Sequence, residues 1–207
     1  MFLTAALLAL TISVYAQDDM QKKADTLGTT LGASVGGERS VAGGRVREFE
    51  RGAIFWSRKT GARFVGSGAL EKYNELGGAS GSLGFPVSDE RASTDSLQQT
   101  FEHGLITIAG SGEPTVTLLP GVTFTEDSLT IIDRDLITFS LDGTGTAVLL
   151  DPQTGPDLAL SCSCTQPPSD TSQRLGLCNL KISKNRTKAT CSNYDCKGSC
   201  GFETTDR

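Results

Sequence analysis

Six cysteines crowd the last quarter of this 207-residue chain: Cys162, Cys164, Cys178, Cys191, Cys196 and Cys200. An even number in so short a stretch reads as a disulfide framework, and about fifteen connectivities are open to six cysteines. Metal ligation is the other chemistry that thiolates offer. Cys162-x-Cys164 and Cys196-x3-Cys200 could each turn two sulfurs toward one ion. The usual Cys-x2-Cys pairs are absent and the single histidine is distant, at His103. Disulfides are therefore expected, and no metal. Asn185-Arg186-Thr187 is a sequon for N-linked glycosylation in a eukaryotic secretory pathway.

Catalytic constellations fail in turn. A Ser-His-Asp triad would have to use His103. No Gly-x-Ser-x-Gly elbow, phosphate-binding Gly-rich loop or His-Glu-x-x-His run occurs. Asp133 and Asp135, two residues apart on a strand-like run, are the one carboxylate pair to weigh for glycoside hydrolysis. Acidic pairs beside turns are usually solvated, so no catalytic residue and no cofactor are expected.

The elements that would carry any site begin after residue 16. Residues 1–16 form an apolar run too short to span a bilayer as a mature helix, and the run ends in Val14-Tyr15-Ala16. Small residues at these two places and the polar Gln17-Asp18-Asp19 that follows read as a signal peptide and its cleavage point. No later stretch is long and apolar enough for a membrane anchor. Export also agrees with a disulfide framework. Residues 17–160 hold 12 Lys and Arg against 20 Asp and Glu, whereas residues 161–207 hold 7 against 4. The acidic body offers no electrostatic footprint for nucleic acid. Lys181, Lys184, Arg186 and Lys188 make the tail locally basic.

The chain repeats itself. Leu31-Gly32-Ala33-Ser34-Val35 through Glu38-Arg39 returns 52 residues later as Leu83-Gly84-Phe85-Pro86-Val87 through Glu90-Arg91, and Phe49-Glu50-Arg51-Gly52 returns as Phe101-Glu102-His103-Gly104. A fixed period of this length signals a repeat array whose units bury their apolar faces on one another. Within a unit, the runs from Phe49 to Trp56 and from Ala62 to Val65 flank a turn and predict a β-hairpin. Leu70, Tyr73 and Leu76 share one helical face, and Gly77-Gly78 ends that helix. Gly84 and Pro86 predict a tight loop.

Leu83-Gly84-Phe85-Pro86, Gly52-Ala53-Ile54-Phe55-Trp56-Ser57, Lys59-Thr60-Gly61-Ala62, Lys72-Tyr73 with Leu76-Gly77-Gly78, and Phe101-Glu102-His103-Gly104 together resemble the LGFP-repeat family over about residues 25–110. The first unit lacks the Phe-Pro pair, and the second has no counterpart of Trp56. The resemblance implies a cell-wall or surface-glycan binding module. Sugars offer apolar C–H faces to aromatic rings and hydroxyls to charged groups. Phe55, Trp56, Tyr73 and Phe85 are thus the stacking candidates. Arg39, Glu50, Glu90, Arg91, Glu102 and His103 are the hydrogen-bonding ones. Small repeats also need their aromatics for core, so burial of Trp56 and Phe85 is the favoured alternative. The recurrence of Glu-Arg at 38–39 and 90–91 fits a salt bridge between units.

Beyond residue 112 the texture changes to short β-rich runs at 116–119, 122–124, 129–132, 136–139 and 147–150, with a hairpin signal at Asp142-Gly143. These predict a small sandwich or open barrel. The cysteine stretch holds little apolar sequence of its own. The expected fold is mainly β with short helices (α+β): a signal peptide at 1–16, a repeat domain at 17–112 built of hairpins plus a short helix, a β-rich segment at 113–160 and a disulfide-stabilised tail at 161–207, the last two forming one small all-β module or two. The expected function is that of a secreted, non-catalytic module attached to cell-wall or surface polysaccharide. An extracellular structural or protein-interaction protein is the alternative, and a small carboxylate-dependent glycoside hydrolase the second. Two incomplete units cannot close a ring, so self-association through repeat edges is also expected.

Overall fold

The structure is a computed structural model that describes residues 19–92, 96–110, 112–133, 138–141, 147–150, 158–165, 177–196 and 199–206. Residues 1–16, read above as a signal peptide, Asp135 and the Asp142-Gly143 turn signal lie outside the described residues.

A first helix, α1, covers residues 19–27. Strands β1 (Arg39–Val41), β2 (Gly44–Phe49), β3 (Gly52–Ser57) and β4 (Gly61–Gly66) follow and pair antiparallel in that order. Helix α2 (Ser67–Glu75) leads to the second sheet: β5 (Arg91–Ala92), β6 (Ser96–Phe101), β7 (Gly104–Ala109) and β8 (Thr115–Leu118), again in order. The sequence repeat is thus a structural repeat. Isolated bridges Ser34↔Phe49 and Pro86↔Phe101 stand at the same 52-residue offset.

Every residue of β3 is buried. A strand with one wet face would alternate; β3 does not, because it is covered on both sides. Ile54 and Trp56 pack with Met20 of α1 and with Leu31, Phe49 and Phe64. Ala53 and Phe55 face the other way, toward Ala69 and Tyr73 of α2. The same α2 cluster takes in Phe101 and Ile106 of the second sheet. The helix therefore sits between two sheets, as its apolar face predicts: Tyr73 is fully buried and Leu70 and Leu76 pack against the cluster. Gly77 stands in the left-handed region just past its end.

The far face of the second sheet is covered as well. Leu105 and Val87 join Leu119, Val122, Phe124 and Leu129 in a third core. Helix α1 closes one end of the stack and the C-terminal half closes the other. Among the described residues both end faces of the stack are covered.

The C-terminal half contains β9 (Val122–Phe124), β10 (Ser128–Ile131), β11 (Thr138–Leu141), β12 (Ala147–Leu150), β13 (Leu158–Thr165), β14 (Cys178–Ile182), β15 (Lys188–Asn193) and β16 (Ser199–Asp206). They form two four-stranded antiparallel sheets, β14-β15-β10-β9 and β11-β12-β13-β16. The run at 116–119 belongs mostly to β8, so it completes the second repeat sheet rather than the sandwich. The cysteine stretch departs from its low-core expectation. It contributes β14, β15 and β16, and Ala189, Cys191 and Phe202 enter the core. Its disulfides join Cys162 to Cys191, Cys164 to Cys196 and Cys178 to Cys200. Each ties β13 or β16 of one sheet to β14, β15 or the residues just after β15 of the other.

Candidate functional site

The loop that opens each unit is held by its own glutamate. Glu50 Oε2 accepts the Ala33 N–H at 3.0 Å, and Glu102 Oε2 accepts the Phe85 N–H at 3.0 Å. Gly32 and Gly84 have φ of 72° and 71°, and a Cβ on Gly84 would fall 2.8 Å from the Glu102 carboxylate. Glycine is needed there for both conformation and space. Tyr73 Oη donates to the Gly84 carbonyl at 2.7 Å, which locks α2 to the same loop.

Phe85 explains the Phe of the motif. Its ring is seated on Gly43 and Gly44 of the first unit, where a Cβ on Gly44 would approach it to 2.8 Å. The ring is thus a wedge between units. The first unit has Ala33 at that place, and Ala33 is exposed.

The predicted site residues divide by burial. Phe55, Trp56, Tyr73 and Phe85 all lie in the core, between 0 and 8% exposed. They pack into the two cores on either side of β3: Trp56 lies with Met20, Phe49 and Phe64, while Tyr73 stacks on Phe101 with ring centroids 4.6 Å apart and meets Phe55 edge-on at 5.2 Å. Trp56 Nε1 donates to Asp19 of α1 at 3.2 Å. A sugar cannot stack on rings so enclosed, which corrects that expectation. Arg39 pairs with Glu48 at 2.7 Å, and Glu38 pairs with Arg45. Both bridges lie inside the first unit, so the recurring Glu-Arg pair is not an inter-unit bridge there. Glu90 is half-buried with its carboxylate against Gly66, and burial raises its carboxyl above the ordinary range. Arg91 lies on β5 opposite Gln98. His103 Nδ1–H donates to the Val122 carbonyl at 2.9 Å and so joins the repeat to the sandwich.

Bridges between layers come instead from Lys23 to Asp89, from Lys59 to Glu102 at 2.7 Å, and from Arg63 to Glu126 at 2.7 Å. Burial alone would raise the Glu102 carboxyl. The Lys59 bond, the Phe85 N–H and the charges of Lys59 and His103 outweigh it and hold the carboxyl below the ordinary range.

These last two bridges border a cleft of about 310 Å³ between the β3–β4 turn and the β9–β10 turn. Lys59, Thr60, Arg63, Thr125, Glu126 and Asp127 form its polar wall, and Val87 and Phe124 also line it. It offers ammonium, guanidinium, hydroxyl and carboxylate groups within one concave surface. Of the predicted residues only Glu102 reaches it, through Lys59. The sequence marks one side of this cleft, by the basic residues about the Lys59-Thr60-Gly61 turn. Glu126 and Asp127 join them only through the fold.

Asp133 is exposed and its predicted partner Asp135 lies outside the described residues. The Sγ atoms of Cys164, Cys178 and Cys196 fall within 4.8 Å of one another. All three are half-cystines, not the thiolates that ligate metals. Asn185 is exposed in the β14–β15 turn, and Thr187 Oγ1 donates to its Oδ1 at 2.9 Å.

No curated protein matches the chain. The first unit, from its opening loop through strands β1 to β4 and helix α2, coincides with a recognised unit: residues 31–81 match the family model described as LGFP repeat, so the chain carries an LGFP repeat.

Proposed function

We propose that this protein is an extracellular, non-catalytic module that attaches to cell-wall or surface polysaccharide. The observation that carries the reading is the LGFP repeat at residues 31–81, a unit that the sequence resemblance associates with wall and surface attachment. Three disulfides favour an oxidising compartment. The apolar N-terminal run favours export. No helix among the described residues is long and apolar enough to cross a membrane. The cleft between the β3–β4 and β9–β10 turns is the contact we assign to the glycan. Its hydroxyl, amine and carboxylate groups complement sugar hydroxyls, which both donate and accept. With the repeat's aromatics enclosed, recognition there is polar rather than by ring stacking.

Sedimentation of the purified protein with insoluble polysaccharides of bacterial and fungal walls tests the reading. Saturable retention on at least one polymer is expected, and no retention on any would remove it.

A further inference from the structure

Among the described residues one aromatic ring stands apart from the rest. Trp56, Phe49 and Phe64 are at most 8% exposed, yet Tyr194 is 71% exposed. It lies at the open end of the β14–β15 hairpin, where its N–H bonds to the Leu177 carbonyl at 3.2 Å, and Leu177 is itself 64% exposed. A ring left in water beside an aliphatic neighbour is costly to hydration and fit for contact.

The hairpin behind it has one polar face. Cys178, Leu180, Ala189 and Cys191 pack inward. Residues paired across antiparallel strands share a face. The register pairs Asn179 with Ser192 and Lys181 with Thr190, so these four project outward together. Lys188 lies two residues from Thr190 on the same strand face. From Lys188 to Tyr194 the row spans about 20 Å. Lys184 and Arg186 stand exposed in the turn at its far end. No ion pair joins Lys181, Lys184, Arg186 or Lys188 among the described residues. The balance of residues 161–207 is basic against an acidic body.

We infer that the outer face of the β14–β15 hairpin, with Tyr194 at its end, binds an anionic polysaccharide such as a uronic-acid polymer. The Tyr194 ring takes the C–H face of a sugar. Asn179, Thr190 and Ser192 bond its hydroxyls, and Lys181 and Lys188 meet its carboxylates. This contact rests on the polysaccharide-binding reading and adds a second surface, remote in sequence from the repeat.

The test measures retention of the full-length protein on polygalacturonate, on a neutral β-glucan and on double-stranded DNA, at about 0.05 and about 0.5 M salt. Polygalacturonate is expected to hold the protein best, and more weakly at high salt. Tyr194→Ala and the double variant Lys181→Ala/Lys188→Ala should each weaken that retention about tenfold, while Tyr194→Phe retains it. These residues are exposed, and unchanged thermal unfolding confirms that the variants fold. Retention on the neutral polymer alone, or retention on polygalacturonate that ignores Tyr194→Ala, overturns the inference and leaves the polysaccharide reading standing. Equal retention on DNA that ignores Tyr194→Ala also overturns it, as unselective polyanion binding. No retention on either polysaccharide overturns the inference, and the polysaccharide reading then stands or falls by sedimentation with the wall polymers.

Discussion

Glu102 shows how much a single side chain is asked to do. It anchors the Phe85 N–H, receives Lys59 from the first unit and sits beside His103. Its lowered carboxyl pKa has a definite consequence. The stability it contributes is present above the unfolded value of about 4.3 and is lost as pH falls through the lower folded value. Glu102→Gln should therefore cost about 1–2 kcal/mol at pH 7 and less at a pH below the ordinary carboxylate range, by denaturant unfolding at the two pH values. An equal cost at both would show that its charge is irrelevant. At this scale the sequence names the residue but not its work. Glu50 and Glu102 recur at one offset, which marks them as important, yet only the loop geometry shows that they bond backbone N–H groups. The buried aromatics carry the opposite lesson. Phe55, Trp56, Tyr73 and Phe85 are legible as large rings at repeated places, and ring type alone does not distinguish a stacking platform from a core wedge.

Helix α2 shows what periodicity can and cannot deliver. The spacing of Leu70, Tyr73 and Leu76 and the glycines after them mark the element and its end correctly. They do not reveal that it is shared by two sheets, because its second partner lies beyond Gly84, in the following unit. The shared role puts weight on the Tyr73 hydroxyl, which donates to the Gly84 carbonyl in a buried setting. Tyr73→Phe preserves the ring packing and leaves that carbonyl without its donor. A loss of about 1–2 kcal/mol is expected, measured as a shift of the denaturation midpoint. No change would mean that the loop holds without α2. The hairpins were likewise readable from alternation. The full burial of β3 was not, because α1 and α2 reach it from different places in the chain.

The whole molecule is a stack: helix, sheet, helix, sheet, then a two-sheet sandwich. The repeat half could be anticipated from its 52-residue period. The sandwich could not be completed from its apolar runs, because half of its order comes from strands in the cysteine stretch and from bridges whose pairing six cysteines leave open. Each bridge spans 22 to 32 residues and joins the two sheets. Chain-entropy estimates give about 3 kcal/mol apiece. Reduction should thus lower the thermal midpoint of the protein sharply, and the near-ultraviolet signal of the C-terminal half should be lost first. An unchanged midpoint in reductant would mean that the apolar core alone holds the sandwich. The cleft belongs to this scale, since its two walls come from the first repeat and the sandwich. The most direct measurement is the equilibrium retention of wild-type, Arg63→Ala and Asp127→Asn proteins on the wall polysaccharide that binds best. The account predicts saturable binding weakened about tenfold or more in both variants, with their unfolding cooperative as in the wild type. Binding that is absent, or identical in all three proteins, would contradict it.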